Sequence, residues 1–497
     1  MIPEAIAFSG IAGVDPEVGL FGAFCLAITI SFVGGRKAMI TSATGSTALL
    51  MTNLVMLGNQ RGEGQGLQYL IAAGLLTGLL QIVWGYLRLA YQMRFVPQSV
   101  LSGFVNALAL LIFQAQLPQL GINLRFGEEV HGVVAHLPQG ASQLGAVWGL
   151  TALGLLIIYG LPRLTRIVPS ALVAIAVTTA ITMGFKLDIP TVSSLGQLPT
   201  GLPSLGLPFG SAASGHVPFD LDTLGFVLPT ALAISLVGLM ETFLTQDLLD
   251  DMTDSSSDKN REARGQGIAN IVSSLFGGMA GCALVGQSVM NIQNGGRTRL
   301  STFAAGLSLL LMILLARPWV SQIPMASLVA VMIAIAISTA DFTSLRRIRV
   351  IPKSDSAVML TTFAVTMLTT PHNLALGVLA GVALAAILFS RKVAKVITVT
   401  ADRRNDCLTY TVRGMLFFVS ANYFLQGFDT HDHARDIVID MTGTRIWDQT
   451  GVASLQKITA RLAKGGSDVQ VIGLDTSSAD LFDRLTEGNS VAASGAH

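Results

Sequence analysis

The chain has 497 residues, of which 51% are hydrophobic and only 12% charged, with a mean hydropathy of +0.61. That excludes an ordinary soluble protein of this length, and a net charge of +1 leaves no case for nucleic-acid binding. Cys25, Cys282 and Cys407 lie far apart with no Cys-x-x-Cys pair, which excludes a disulfide framework and a cysteine zinc site.

Apolar windows mark fourteen segments, at about 1–14, 17–33, 38–57, 67–87, 98–117, 142–162, 169–185, 224–248, 264–280, 284–294, 299–316, 324–340, 355–370 and 373–390. The first is too short for a full span, so the sequence is expected to open inside an incomplete first helix, with no signal peptide ahead of it. That segment carries Glu4 after Pro3, and Phe8 one helical turn on. A carboxylate at membrane depth is costly and tends to be functional, most often in proton or cation coupling. Glu4 therefore reads as a proton-exchanging group, unless it sits at the interface. Phe8 is either an apolar wall of a site or plain packing.

The third segment opens on small polar residues, Thr44, Gly45, Ser46 and Thr47. The eighth holds Glu241, followed one turn on by Thr245 and Gln246. Glu241 is either a functional carboxylate or a packing group bonded to a neighbouring helix. Asp247, Asp250, Asp251 and Asp254 beyond it read as solvated.

Between Gly277 and Thr302 the pattern breaks. Gly277, Gly278, Gly281 and Gly286 precede Gln287, Ser288, Asn291, Gln293 and Asn294, and then come Gly295, Gly296 and Arg297. Backbone that leaves a helix at membrane depth survives only where protein or a wet cavity satisfies it. A half-helix whose N-terminus faces such a cavity attracts anions through its free N–H groups and dipole. Gln287 and Ser288 lie at that start, with Thr44, Ser46 and Thr47 expected opposite. Arg297 either offsets an anion's charge or holds the helix end, and Arg299 reads as a snorkelling interface residue. Interrupted segments seven apart suggest two halves, which must be inverted because seven is odd.

Basic residues cluster in alternate loops: Arg36 and Lys37; Arg88 and Arg94; Arg163 and Arg166; Lys259, Arg261 and Arg264; Arg346, Arg347, Arg349 and Lys353; Arg391, Lys392 and Lys395. The other loops, including long ones at about 118–141 and 186–222, hold only Arg61, Arg125, Lys186 and Arg317. This asymmetry places the C-terminus in the cytoplasm. After Arg391 the short runs Cys407–Val412, Leu416–Val419, Ile437–Met441 and Val469–Leu474 read as strands, with helical spacing over Ala421–Phe428 and Val452–Leu462. Together they indicate a small α/β domain. The last ten residues read as disordered. None of the seven histidines forms a metal-spaced cluster, and no P-loop or Ser/His/Asp arrangement supports an enzyme or ATP-driven pump.

MIPEAIAFSGIAGVDPEVGLF, TSATGSTALL and NIQNGGRTRLS, with IVIDMTGTRIWDQTGVASLQ in the tail, together resemble the SulP anion-transporter family, also called solute carrier family 26, with a C-terminal STAS domain. The resemblance implies an all-α polytopic membrane protein of fourteen spans in two inverted seven-segment repeats. These would form a core (spans 1–4 and 8–11) and a gate (5–7 and 12–14) over residues 1–395. A cytoplasmic STAS domain would occupy 396–487 and a disordered tail 488–497. It further implies an anion held between half-helices three and ten, at Phe8, Thr44, Gly45, Ser46, Gln287 and Ser288. The family commonly forms dimers and works by an elevator motion. Glu4 takes the place of the family's usual Gln, which points to proton symport. Gln287 stands where chloride and oxalate carriers of animals have Arg. Val285 replaces the Thr that accompanies a carboxylate like Glu241 in a sodium-coupled bicarbonate branch. Gln449 stands where STAS antagonists carry a phosphorylatable Ser.

The expected protein is thus a secondary transporter of the bacterial inner membrane, not an enzyme, with no cofactor, metal site or nucleic-acid partner. Its partners would be the bilayer, a small anion (a carboxylate, dicarboxylate, bicarbonate or sulfate), a second copy and a cytoplasmic protein at the STAS domain. Glu4 would be the proton-coupling group, and Glu241, Thr245 and Arg297 cation-site or structural residues. Sodium-coupled bicarbonate uptake and uncoupled anion exchange or channel activity are the alternatives.

Overall fold

The computed structural model describes all residues except 63, 89–95, 123–140, 166–167, 195, 197, 200, 211–215, 370–373, 405, 430–433 and 494–497, and the side chains of 141–142 and 487–493. Arg94, Arg125, Arg166 and most of the 118–141 loop therefore lie outside the described residues. The chain forms two compact units, Met1–Val382 and Ala383–His497.

The first unit is helical. Its elements run α1 (Ile2–Ala12), α2 (Pro16–Val33), β1 (Thr41–Ser42), α3 (Gly45–Arg61), α4 (Gln65–Tyr86), α5 (Gln98–Gln114), α6 (Ala141–Leu164), α7 (Ser170–Gly184), α8 (Leu221–Thr253), α9 (Lys259–Leu275), β2 (Cys282–Ala283), α10 (Val285–Gln293), α11 (Arg299–Val320), α12 (Met325–Thr339), α13 (Phe342–Arg347), α14 (Lys353–Leu368) and α15 (Leu374–Ala394). Each apolar segment of the sequence holds one helix. Among the described residues, seven helices are long and apolar enough to cross a membrane: Pro16–Val33, Gln65–Tyr86, Gln98–Leu120, Gln143–Leu164, Leu221–Thr253, Arg299–Val320 and Leu374–Ala394.

Helix starts follow local chemistry. Pro16 at the first turn of α2 needs no N–H partner. Asp220 caps α8 through Thr223 N at 2.7 Å, and Asp258 caps α9 through Asn260 N and Arg261 N. Packing then joins α2 to α9 and α11, α4 to α8 and α9, and α3 to α4 and α8. Elsewhere α5 packs on α12 and α14, and α6 on α7 and α12. The α4–α9 crossing is nearly backbone on backbone: a Cβ at Gly78 would come 2.5 Å from the Gly267 carbonyl, and the reverse holds.

The turn after α2 is pinned from inside. Glu262 of α9 is buried, and its carboxylate accepts from Gly35 N (2.6 Å), Arg36 N (2.9 Å) and Gln266 Nε2 (3.0 Å). Arg36 in turn pairs with Asp250 at 2.9 Å and donates to Leu249 O and Thr253 Oγ1. Asp250 also accepts from Ser257, and Asp247 pairs with Lys259. These two aspartates are therefore engaged, not simply solvated as the sequence suggested.

The second unit holds a four-stranded sheet in the order β3 (Thr398–Arg404), β4 (Cys407–Leu416), β5 (Asp436–Ile446), β6 (Asp468–Ile472). β3 and β4 are antiparallel, whereas β4–β5 and β5–β6 are parallel. The helices α16 (Ala421–Gln426), α17 (Gln449–Lys464) and α18 (Thr476–Ala493) complete an α/β domain. Tyr410, Val412, Phe424, Ile437, Ile439, Leu455 and Ile458 lie in one buried cluster there. The charged strand β3 gave no alternating apolar signal. Leu416–Val419 is not a separate strand: β4 runs on to Leu416 through a register shift between Thr411 and Arg413, and the chain then turns on Ser420 Oγ. α18 extends into the tail that read as disordered, and 494–497 lie outside the described residues.

Removing the Glu262 acceptor strands buried N–H groups at Gly35 and Arg36. Glu262→Ala is expected to cost about 3 kcal/mol, read as an earlier thermal unfolding transition of the detergent-solubilised protein. Asp251→Ala, at an exposed position of the same unit, is the reference, expected to shift stability by less than about 0.5 kcal/mol.

Candidate functional site

Two helices start inside the first unit, not at its surface, and their starts are held together by two very short strands. β1 and β2 pair antiparallel, Thr41 opposite Ala283 and Ser42 opposite Cys282. Leu284 N extends the ladder to Ile40 O at 2.8 Å. Both strands are buried, so their remaining polar groups need partners. Side chains from α8 and α9 provide them. Thr242 Oγ1 accepts from Ala283 N at 3.2 Å, and Gln266 donates to Thr41 Oγ1 at 2.8 Å. Asn270 bonds both N–H and C=O of Gly281 and donates to Gln81. Gly281 itself must be glycine, because a Cβ there would collide with the Ser42 carbonyl.

After each strand the chain enters a half-helix, α3 or α10. The two N-termini are built differently. At α3, Thr44 is the N-cap and forms a reciprocal capping box with Thr47. Thr44 Oγ1 lies 3.0 Å from Ser46 Oγ and 3.2 Å from Cys282 Sγ. The Ser46 hydroxyl donates a short hydrogen bond to Glu241 Oε2, and the Cys282 thiol donates to the same oxygen at 3.0 Å. Among the described residues, Glu241 thus accepts from neutral side-chain donors only. At α10 the N-cap is Leu284, with no side-chain cap. Its first turn carries Gln287, whose Nε2 donates to Glu4 Oε1 at 2.5 Å. The other oxygen of Glu4 lies 2.6 Å from the Met1 amine.

The structure therefore brings together Glu4 with Gln287, and Thr44, Ser46 and Glu241 with each other. Phe8 joins this set: its ring is one of the first groups a Cβ on Gly45 would meet, at 3.1 Å, with Ile112 Cδ1 at 2.8 Å. Gly286, at the matching point of α10, faces open space. Ser288 is buried, and its hydroxyl is committed to the Ile40 backbone, accepting from N at 2.9 Å. It holds β1 in place and does not present its hydroxyl to the opening. Thr245 donates to the Glu241 carbonyl of its own helix. Arg297 is exposed, beyond the C-terminal end of α10, away from both half-helix starts. Arg299 is no snorkelling residue: it donates to Ser31 O, Phe32 O and Gly34 O, closing the C-terminal end of α2.

Four residues of this network had not been singled out. Cys282 drew notice only as a lone cysteine. Gln266 and Asn270, with Glu262, stand at i, i+4 spacing on one buried face of α9, a polar stripe that marks a buried network. The arrangement as a whole sets two helix starts side by side, with one carboxylate bonded at each, and among the described residues no cationic side chain is hydrogen-bonded to either carboxylate. Partial positive charge there comes from the two helix termini, about half an elementary charge each.

Comparison with known proteins gives a consistent picture. The sulfate permease family matches residues 1–362 and the STAS domain residues 398–491. YbaR of Bacillus subtilis (strain 168) is 43% identical over 98% of this chain and 94% of its own length. The bicarbonate transporter BicA of a Picosynechococcus species is 29% identical over 84% of this chain and 73% of its own. Murine Slc26a9, an anion transporter solved in its inward-facing state, shares the fold with a TM-score of 0.80 at 17% identity, covering 97% of this chain and 85% of that one.

The two half-helix glycines should respond unequally. Gly45→Ala drives a methyl into Ile112 and Phe8 and is expected to destabilise by about 1–3 kcal/mol. Gly286→Ala meets nothing and should shift stability by less than about 0.5 kcal/mol. Paired thermal unfolding curves check this; equal shifts would contradict the asymmetry.

Proposed function

Because the chain belongs to the sulfate permease family, and is an anion transporter and not an enzyme, we propose that it carries a small anion by proton symport, with Glu4 as the proton-accepting group. The observation that carries this reading is the hydrogen bond from Gln287, in the uncapped first turn of α10, to the Glu4 carboxylate. Among the described residues, no side chain bonded at the α3 and α10 starts is cationic, and the Met1 amine is already paired with Glu4, so an anion seated between them is compensated chiefly by the helix termini. An ionised Glu4 beside it repels it; at roughly 5 Å and an effective dielectric near 20 that repulsion is about 3 kcal/mol, on the order of a hundredfold in affinity. Protonating Glu4 removes the repulsion. Anion and proton then favour each other's binding by the same factor, which is the linkage symport needs. Phe8 walls the site beside Gly45, and Thr44 and Ser46 line it.

The substrate is a carboxylate, dicarboxylate, bicarbonate or sulfate ion. The membrane unit works as fourteen spans in two inverted repeats, with one helix group moving against the other. The placement of paired half-helices third and tenth in order supports this. The protein sits in a bacterial inner membrane as a homodimer, with the STAS domain in the cytoplasm available to a protein partner. Sodium coupling at Glu241 is the second reading. Its donor set disfavours it: Ser46 and the soft Cys282 thiol point hydrogens at the carboxylate, and Thr245 is spent on its own helix.

Proteoliposome uptake of labelled fumarate, succinate, bicarbonate and sulfate tests this, under an inward proton gradient, a sodium gradient or neither. Uptake should follow the proton gradient, and Glu4→Gln should remove that dependence, with at least a tenfold loss of gradient-driven accumulation. Sodium-driven uptake that survives Glu4→Gln would overturn the assignment.

A further inference from the structure

The turn between α12 and α14 presents an exposed surface of mixed chemistry. α13 and the residues after it place three large apolar side chains in the open: Phe342 (49% exposed), Leu345 (44%) and Val350 (84%). Arg346, Arg347, Arg349 and Lys353 are interleaved with them and also exposed. Among the described residues none of these four cations forms an ion pair or side-chain hydrogen bond. Within α13, Phe342, Leu345 and Arg346 fall at i, i+3 and i+4 and share one face. Thr343, Ser344 and Arg347 take the other, lining a cavity of about 340 Å³ with Gln98 and Ser102 of α5 and the carboxylates of Asp341 and Asp355.

The segment is held rigidly. Asp341 caps α13 through Ser344 N at 3.1 Å and accepts from the Ser344 and Ser102 hydroxyls. Asp341 N donates to Asn106 Oδ1 at 2.9 Å. Ser356 Oγ donates to Ile348 O, and Val350 N to Arg347 O, which fix the turn beyond. Burial opposes the charge on Asp341, yet the Ser344 donors hold its carboxyl below the usual range.

A surface that alternates bulky apolar groups with unpaired cations suits neither bulk water nor hydrocarbon. It suits the boundary between them, where apolar side chains sink to the acyl level and cations meet headgroup phosphates. We propose that residues 342–353 form an interfacial foot that binds the anionic phospholipids of the surrounding leaflet. The occupant is set by charge complementarity: Arg346, Arg349 and Lys353, exposed and without ion-pair partners among the described residues, face headgroups of net negative charge at the junction of α12 and α14, while Arg347 lines the cavity beside Asp341 and Asp355. Each basic residue near an anionic leaflet favours contact by about fivefold. Because the foot is already ordered, little conformational entropy is lost on binding.

The test uses the full chain in nanodiscs of phosphatidylcholine alone or mixed with phosphatidylglycerol. In a Cys407→Ser background, Val350→Cys is labelled with an environment-sensitive dye; Cys25 and Cys282 are buried. Dye emission should shift to the blue when phosphatidylglycerol is present, and high salt should reverse the shift. In the Arg346→Gln, Arg347→Gln, Arg349→Gln, Lys353→Gln variant the shift should vanish, and phosphatidylglycerol co-purified with the protein should fall about fivefold or more. Unchanged thermal unfolding of that variant in phosphatidylcholine discs shows that it is folded. Equal emission in both lipids, as protein covering the segment would give, overturns the proposal. So does undiminished phosphatidylglycerol retention in the folded variant.

Discussion

Everything at the site depends on one small pairing, the antiparallel contact of Thr41–Ser42 with Cys282–Ala283. Each two-residue strand interrupts the helical path inside a greasy unit, where an unsatisfied peptide group costs several kcal/mol. The strands satisfy part of that need in each other. Gln266, Asn270, Thr242 and Ser288 satisfy much of the rest. Because this network ties both strands to α8 and α9, the starts of α3 and α10 are held relative to one another. An anion site made of helix termini requires that, since termini lose their influence within a turn.

The two sides of that site are not equivalent. α3 is capped by its own threonines and leans through Ser46 on a carboxylate that also takes the Cys282 thiol. α10 has no side-chain cap and opens at Gly286. The first start is satisfied by its own side chains; the second has no side-chain cap. Glu4 is tied to the uncapped start through Gln287, and the proposed proton coupling rests on that contact.

Much of this was legible in the residues. Glycines around a polar run, seven segments after TSATGSTALL, were enough to place the half-helices. Glu4 and Glu241 stood out because apolar segments rarely hold carboxylates. What was hidden was partnership. No spacing rule reveals that Ser288 turns inward to Ile40, that Arg299 closes the end of α2, or that Cys282 shares an oxygen with Ser46, because these contacts join residues far apart in sequence. β3 was missed for a different reason: an exposed edge strand rich in charge carries no alternating apolar signal. The 262, 266, 270 stripe was readable as i, i+4 periodicity of uncharged and acidic polar residues on one face of α9.

The separation of the paired strands also bears on how the molecule is made. Thr41 and Ala283 are 283 − 41 = 242 residues apart. At roughly 5–20 residues per second a ribosome needs on the order of 12 to 50 seconds to add that stretch. Throughout that interval the first strand is already synthesised, yet its partner does not exist, and for most of it neither does Glu262, which holds the turn before it. The early helices must therefore wait in the membrane with open peptide groups, sheltered by insertion machinery, lipid headgroups or water. Completion of the site is a late event in biogenesis, and a chain cut short before β2 would leave the membrane holding half a binding site.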